Sequence, residues 1–227
     1  MRCASWQKPP RGAVLDVTHP LAREMVWSGI FNEATGNKIW DVSLNQQVGT
    51  LVGATWKTGG VYFDGNDYVT ATVKDELFNF TEMSIAASIN WQGQVSGNQW
   101  GSIAVRWGSV DDGWFFHVDD WDDKLEFESP NNVIYNSTDS IPSNQDVFVA
   151  VTAKNGGSVR FYIDGQPSGE SAMTNNISNQ SGRPLTLGVL QYSSSFYHYF
   201  IGNIYFCYIF RRELSSDEIR WLYQEPY

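Results

Sequence analysis

The chain has 227 residues, 42% hydrophobic and 15% aromatic side chains, and a formal net charge of -10. That length suits a single all-β sandwich or barrel, which can bury its core without disulfides or metals. The negative charge removes the main driving force for nucleic-acid binding and disfavours anionic membranes, so a neutral partner, or one bridged by a cation, is expected.

The opening "MRCASWQKPPRG" has no apolar leader core, so synthesis in a cytoplasm is expected. No stretch of the sequence is long and apolar enough for membrane insertion. Residues 1–13 read as an N-terminal arm and 14–227 as one domain. Cys3 lies in the arm and Cys207 in an apolar run, which gives no disulfide framework. The N-x-[ST] matches at Asn79, Asn136, Asn176 and Asn179 carry no weight without a secretory route.

Alternation dominates the rest. Asp64-Gly65 in "VYFDGNDYV" predicts a tight hairpin. In "MSIAASINW", Met83, Ile85, Ala87, Ile89 and Trp91 share one face and Ser84, Ala86, Ser88 and Asn90 the other, a strand buried on one side. "WFFHV" and "KLEFES" predict a hairpin that leaves Phe115, His117, Lys124, Glu126 and Glu128 on a common face. "NGG" at 155–157 and Asp164-Gly165 predict the turns around "SVRFYI", where Val159, Phe161 and Ile163 oppose Arg160 and Tyr162. One helix is expected, in "LSSDEIRWLYQ". Ser215 and Glu218 form a capping box there, Ile219, Leu222 and Tyr223 share a face, and Pro226 stops it.

The order of these segments resembles laminin G-like domains of the concanavalin A-like lectin/glucanase superfamily. "MVWSGIFNEATGNKIWDVS" resembles their opening strand and loop, and "VYFDGNDYVTA" their second signature. "FVAVTAKNGGSVRFYIDGQPSG" is similar to their central hairpin, and "FIGNIYFCYIFRRELSSDEIRWLYQ" to their closing strand and helix. The resemblance implies an all-β jelly-roll β-sandwich of two antiparallel sheets with a short C-terminal helix. The lead-in "QKPPRGAVLDVTHPLA" resembles short laminin G-like proteins encoded by tailed bacteriophages, which implies display on a virion surface.

Six aspartates crowd the stretch from Asp111 to Asp123: Asp111, Asp112, Asp119, Asp120, Asp122 and Asp123. Asp favours turns, and charge at a hairpin tip discourages edge pairing, so a solvated tip is the first reading. A structural calcium ion is the second. The resemblance places calcium ligands in the closing strand after a glycine, yet Asn203, Ile204 and Tyr205 stand there, with Asp41 alone at an acidic position of the opening loop. A glycosidase needs two carboxyl groups across the scissile bond. The E-x-D-x-x-E pattern of the family's enzymes is missing. Glu126 and Glu128, with His117 nearby, are its best remnant, and they read as solvated. No enzymatic activity is expected.

Aromatic rings in polar loops suit the apolar faces of sugars. Trp100, Trp121, Tyr192, Phe196 and Tyr197 are the candidate platforms, with Asn98, Gln99 and Gln191 as hydrogen-bonding partners. The expected partners are glycans or polysaccharide. The same rings would also serve an interface with other virion proteins, as a capsid decoration or fibre component, or within a homo-oligomer.

Overall fold

The computed structural model describes residues 8–93, 100–109, 112–178 and 181–226. Eighteen strands among them are numbered in chain order. The first sheet runs β14 (Gln166–Ala172), β13 (Ser158–Ile163), β12 (Asp146–Lys154), β7 (Glu82–Trp91), β18 (Ile201–Phe210), β5 (Gly60–Asp64) and β4 (Thr55–Lys57). β1 (Met25–Gly29) also pairs with β18. The second runs β11 (Val133–Ser140), β10 (Lys124–Ser129), β9 (Asp112–Asp119), β8 (Trp100–Ser109), β15 (Leu185–Leu187), β6 (Tyr68–Ala71), β3 (Val48–Val52) and β2 (Lys38–Trp40). A separate hairpin joins β16 (Leu190–Tyr192) to β17 (Ser195–Tyr197). Every pairing is antiparallel, which makes the chain a jelly-roll sandwich.

The alternation expected in "MSIAASINW" sets the core. Ile85 pairs with Val151 on one side and Ile209 on the other, Val151 with Phe161, and Ile209 with Trp27. All five are buried in the main core, with Trp114, Phe116 and Phe127 of the second sheet. The opposite face of β7 departs from expectation, because Ser84, Ala86 and Ser88 are buried too. A second apolar layer covers them, in which Phe148, Tyr162, Phe206 and Tyr208 meet Leu21, Leu214, Ile219 and Leu222. Each large side chain buried there contributes about 1.5–3 kcal/mol. Ser84 Oγ donates to Arg212 O at 2.8 Å and accepts Leu214 N at 2.9 Å, so its polar group is satisfied under that layer.

The helix α1 (Ser216–Gln224) begins with the expected capping box between Ser215 and Glu218. Ile219 and Leu222 bury its inner face. The N-terminal segment lies against the same side. His19 meets Trp221 with ring centroids 4.5 Å apart, and Tyr208 Oη donates to Pro226 O at 2.8 Å. Lys8 Nζ donates to the carbonyls of Ile30, Phe31 (3.0 Å) and Tyr205 (2.5 Å). Burial pulls its pKa down to about 7, against the opposing pull of Glu33.

The turns divide. Asp164 (φ 48°) and Gly165 (φ 71°) both adopt the left-handed conformation and close the β13–β14 hairpin, with Ile163 opposite Gln166. Asp64-Gly65 does not form the expected hairpin. β5 pairs with β18 in the first sheet and β6 with β15 and β3 in the second, so this turn carries the chain across the sandwich. Asp67 Oδ2 accepts Asp64 N at 3.0 Å and holds the corner.

Candidate functional site

The outer face of the second sheet carries Tyr68, Thr70 and Thr72. Their neighbours Val69, Ala71 and Val73 point into the core. The β16–β17 hairpin folds down over this sheet. Its base is closed by Phe200 N donating to Gly188 O at 2.9 Å, and a Cβ at Gly188 would lie 2.6 Å from the Phe63 ring. Only glycine fits that φ of +83° and that contact. Leu190 anchors the hairpin among Val105, Trp107 and Phe115. Phe196 stacks on Tyr68, with centroids 4.8 Å apart and planes at 23°.

Between the hairpin and β6 an open cleft of about 540 Å³ remains. The Tyr68–Phe196 stack forms one wall, Thr70, Thr72 and Gln191 supply hydroxyls and an amide, and Arg183 with Asp75 lies at the margin. Flat apolar surface beside a few neutral hydrogen-bonding groups is the chemistry that holds a sugar ring.

The sequence-predicted residues distribute unevenly around this cleft. Gln191 and Phe196 line it. Tyr192 and Tyr197 are exposed on the same hairpin but outside the lining. Trp100 is half-buried in a ring cluster, 4.6 Å from His198, 5.4 Å from His117 and 6.3 Å from Phe115 between centroids. Trp121 is 83% exposed at the β9–β10 turn and does not reach the cleft. Asn98 and Gln99 lie outside the described residues. Tyr68, Thr70, Thr72 and Arg183 were not anticipated. The alternation of "YVTATV" places the first three on one face, but nothing in the sequence says which hairpin lands above them.

The acidic hairpin forms in the expected register, with Glu126 opposite His117 and Glu128 opposite Phe115. Its common face is not solvated, however. Glu126 and Glu128 are only 3% and 6% exposed, and Phe115 and His117 are buried. His117 Nε2 lies 2.7 Å from Glu126 Oε2, and Asn136 Nδ2 donates to Glu126 Oε1 at 2.9 Å. Burial pushes the His117 pKa down to about 3, and its Nδ1 is buried without a hydrogen-bond partner among the described residues. Burial, then His117, lowers His198 to about 4. Burial and the nearby Glu126 raise Glu128 to about 7. Burial also raises Asp119 and Glu126. These carboxyl groups stiffen a strand pair and offer no open face to a polymer.

The calcium ligands implied by the resemblance do not fit. Asp41 accepts Ser28 N, Ser43 N and Ser43 Oγ at 2.8–2.9 Å and Gln47 N at 3.2 Å, which fully occupies the carboxylate with the 41–47 loop. At the closing strand the Lys8 ammonium already lies on the Tyr205 carbonyl. At the hairpin tip, Asp119 accepts Trp121 N, Asp122 pairs with Lys124, and Asp123 accepts Trp91 Nε1 and Ser143 Oγ, so these three carboxylates already have partners of their own. Asp112 opens β9 rather than preceding it, and Asp111 lies outside the described residues. Among the described residues no cluster of His, Cys, Asp and Glu could hold a metal ion.

Two large antiparallel sheets and a short C-terminal helix define a jelly-roll sandwich of the concanavalin A-like kind. A laminin G family model, described as concanavalin A-like lectin/glucanases superfamily, matches residues 63–220, and the chain belongs to that family. Among solved structures it is similar to the binding domain of botulinum neurotoxin DC in complex with SialylT (17% identity, TM-score 0.70, 89% of this chain and 52% of that one). The same domain in complex with rat synaptotagmin II gives 17% identity and a TM-score of 0.68 over 88% of this chain and 51% of that one. The binding domain of botulinum neurotoxin serotype D gives 14% identity and 0.68 over 89% and 51%. The chain thus spans about half of each, and at these identities the likeness is one of fold. No curated protein matches the chain.

Proposed function

We propose that the chain is a non-enzymatic, lectin-like carbohydrate-binding protein whose site is the cleft between β6 and the β16–β17 hairpin. The observation that carries this reading is the stacked Tyr68–Phe196 wall beside Thr70, Thr72 and Gln191 in an open cleft. The solved complexes of similar binding domains with SialylT and with rat synaptotagmin II are in keeping with it. Burial of Glu126 and Glu128 speaks against hydrolysis. We further propose display on a bacteriophage virion surface, a reading supported by the resemblance of the lead-in segment. Many copies on a particle would multiply weak single-site affinity.

A glycan array probed with monomeric and multimerised protein tests the reading. Phe196→Ala, which removes one ring of the stack, is expected to weaken binding by about tenfold. Absence of binding in the multimerised format refutes it. Mass spectrometry of purified particles tests the placement.

A second reading, a structural virion protein, is favoured by a different surface. Val14, Trp40 (56% exposed) and Leu44 (72% exposed) present apolar area around the N-terminal segment and the 30–46 loop. Charged substitutions at Trp40 and Leu44 would then block particle incorporation and leave glycan binding intact.

A further inference from the structure

We propose that the cleft selects a sugar bearing a carboxylate, gripped by Arg183; this rests on the carbohydrate-binding reading above. Only two ionisable acid or base side chains of the lining stand at the cleft margin, Asp75 and Arg183. Asp75 is fully engaged. It pairs with Arg106, accepts Ser181 Oγ at 2.6 Å, and accepts Gly182 N on both oxygens at 3.1 and 3.0 Å. Those hydrogen bonds, Ser181 first, together with Arg106 hold its carboxyl below the usual range, so it stays ionised and its charge is balanced by Arg106.

Arg183 is different. Its Nη2 donates to Gly108 O at 3.4 Å, and no carboxylate pairs with it among the described residues. A guanidinium offers five donors in a planar fork matched to two carboxylate oxygens. Asp75 and Arg183 leave the lining neutral as a whole, and Arg106 is shared by Asp75 and Asp112, so Arg183 offers a local guanidinium rather than a net positive excess, on a chain whose net charge is -10. The long-range field disfavours anions, but at physiological salt it is screened beyond roughly 8 Å. Arg183 lines the same cleft as Tyr68 and Phe196, so a carboxylate on a ring bound there meets its charge locally rather than through the screened far field. The global charge therefore deters polyanions without forbidding an acidic monosaccharide unit at this point.

The test is calorimetric titration of the full chain with a uronic-acid oligosaccharide, a sialyl oligosaccharide, and the carboxyl-reduced form of each, at low and physiological salt. The acidic forms are expected to bind about tenfold tighter than their reduced counterparts, as a charge-assisted bidentate pair allows. Arg183→Gln is expected to bring that ratio close to one. Phe196→Ala is expected to weaken acidic and reduced sugars together and preserve the ratio. The uronate and sialate arms distinguish the two sources of carboxylate. Equal affinity for acidic and reduced sugars, or a preference that survives Arg183→Gln, overturns the proposal while leaving a neutral-sugar lectin standing. No binding of any sugar overturns both.

Discussion

Glu128→Gln isolates the free energy stored in one enclosed carboxyl group. In the folded chain burial, then Glu126, raises this group from 4.5 to about 7. The native state therefore keeps its proton while the unfolded chain releases it, and stability falls as pH rises from 4.5 through 7. At about 1.36 kcal/mol per unit, the full loss is about 3 kcal/mol near pH 8. Below pH 4 both states are protonated and the loss vanishes. Glutamine keeps the shape and stays neutral, so the variant should match the wild type at pH 4 and exceed it by up to about 3 kcal/mol at pH 8. For a chain of this size that is roughly 6–12 °C in Tm. The acid limb should be untouched. His117 and His198 are lowered to about 3 and 4, so stability drains as pH falls below about 6.5, where the unfolded imidazoles bind protons and the native ones do not. Scanning calorimetry of both proteins from pH 4 to 8 reads the difference. A constant offset between the two curves would refute the assignment of Glu128 as a buried, protonated group.

Three further outcomes are expected. Lys8→Met strips three backbone carbonyls of their shared donor and should destabilise the chain by about 2–3 kcal/mol in urea unfolding. Asp41→Ala leaves the amides of Ser28, Ser43 and Gln47 without an acceptor in a buried loop; a loss of about 2–4 kcal/mol is expected, measured the same way. Trp121→Ala removes an exposed ring outside the cleft lining, and should change neither folding stability nor sugar affinity by more than about 0.5 kcal/mol.

The sandwich was legible because its strands alternate cleanly and its last helix announces its own cap at Ser215 and Glu218. The errors have specific physical origins. A positive-φ pair such as Asp64-Gly65 reverses the chain locally but does not encode whether the next strand joins the same sheet or the opposite one. Ser84, Ala86 and Ser88 look solvent-facing because they are small or polar, yet small residues are what leaves room beside Phe148, Phe206 and Tyr208 of the neighbouring strands under Leu21, Leu214, Ile219 and Leu222. Glu126 reads as solvated from its charge, and only the cross-strand register reveals that His117 and Asn136 enclose it. At the cleft, Phe196 and Gln191 were recoverable as aromatic and amide in a polar loop. Arg183 was not, since its role depends on Asp75 being taken by Arg106, a pairing across 31 positions of sequence.

The N-terminal segment and α1 both rest on the outside of the first sheet, whereas the cleft opens on the outside of the second. The molecule is therefore polar in the geometric sense. Chain leaving near residue 8 or after α1 would therefore depart from the face opposite the cleft.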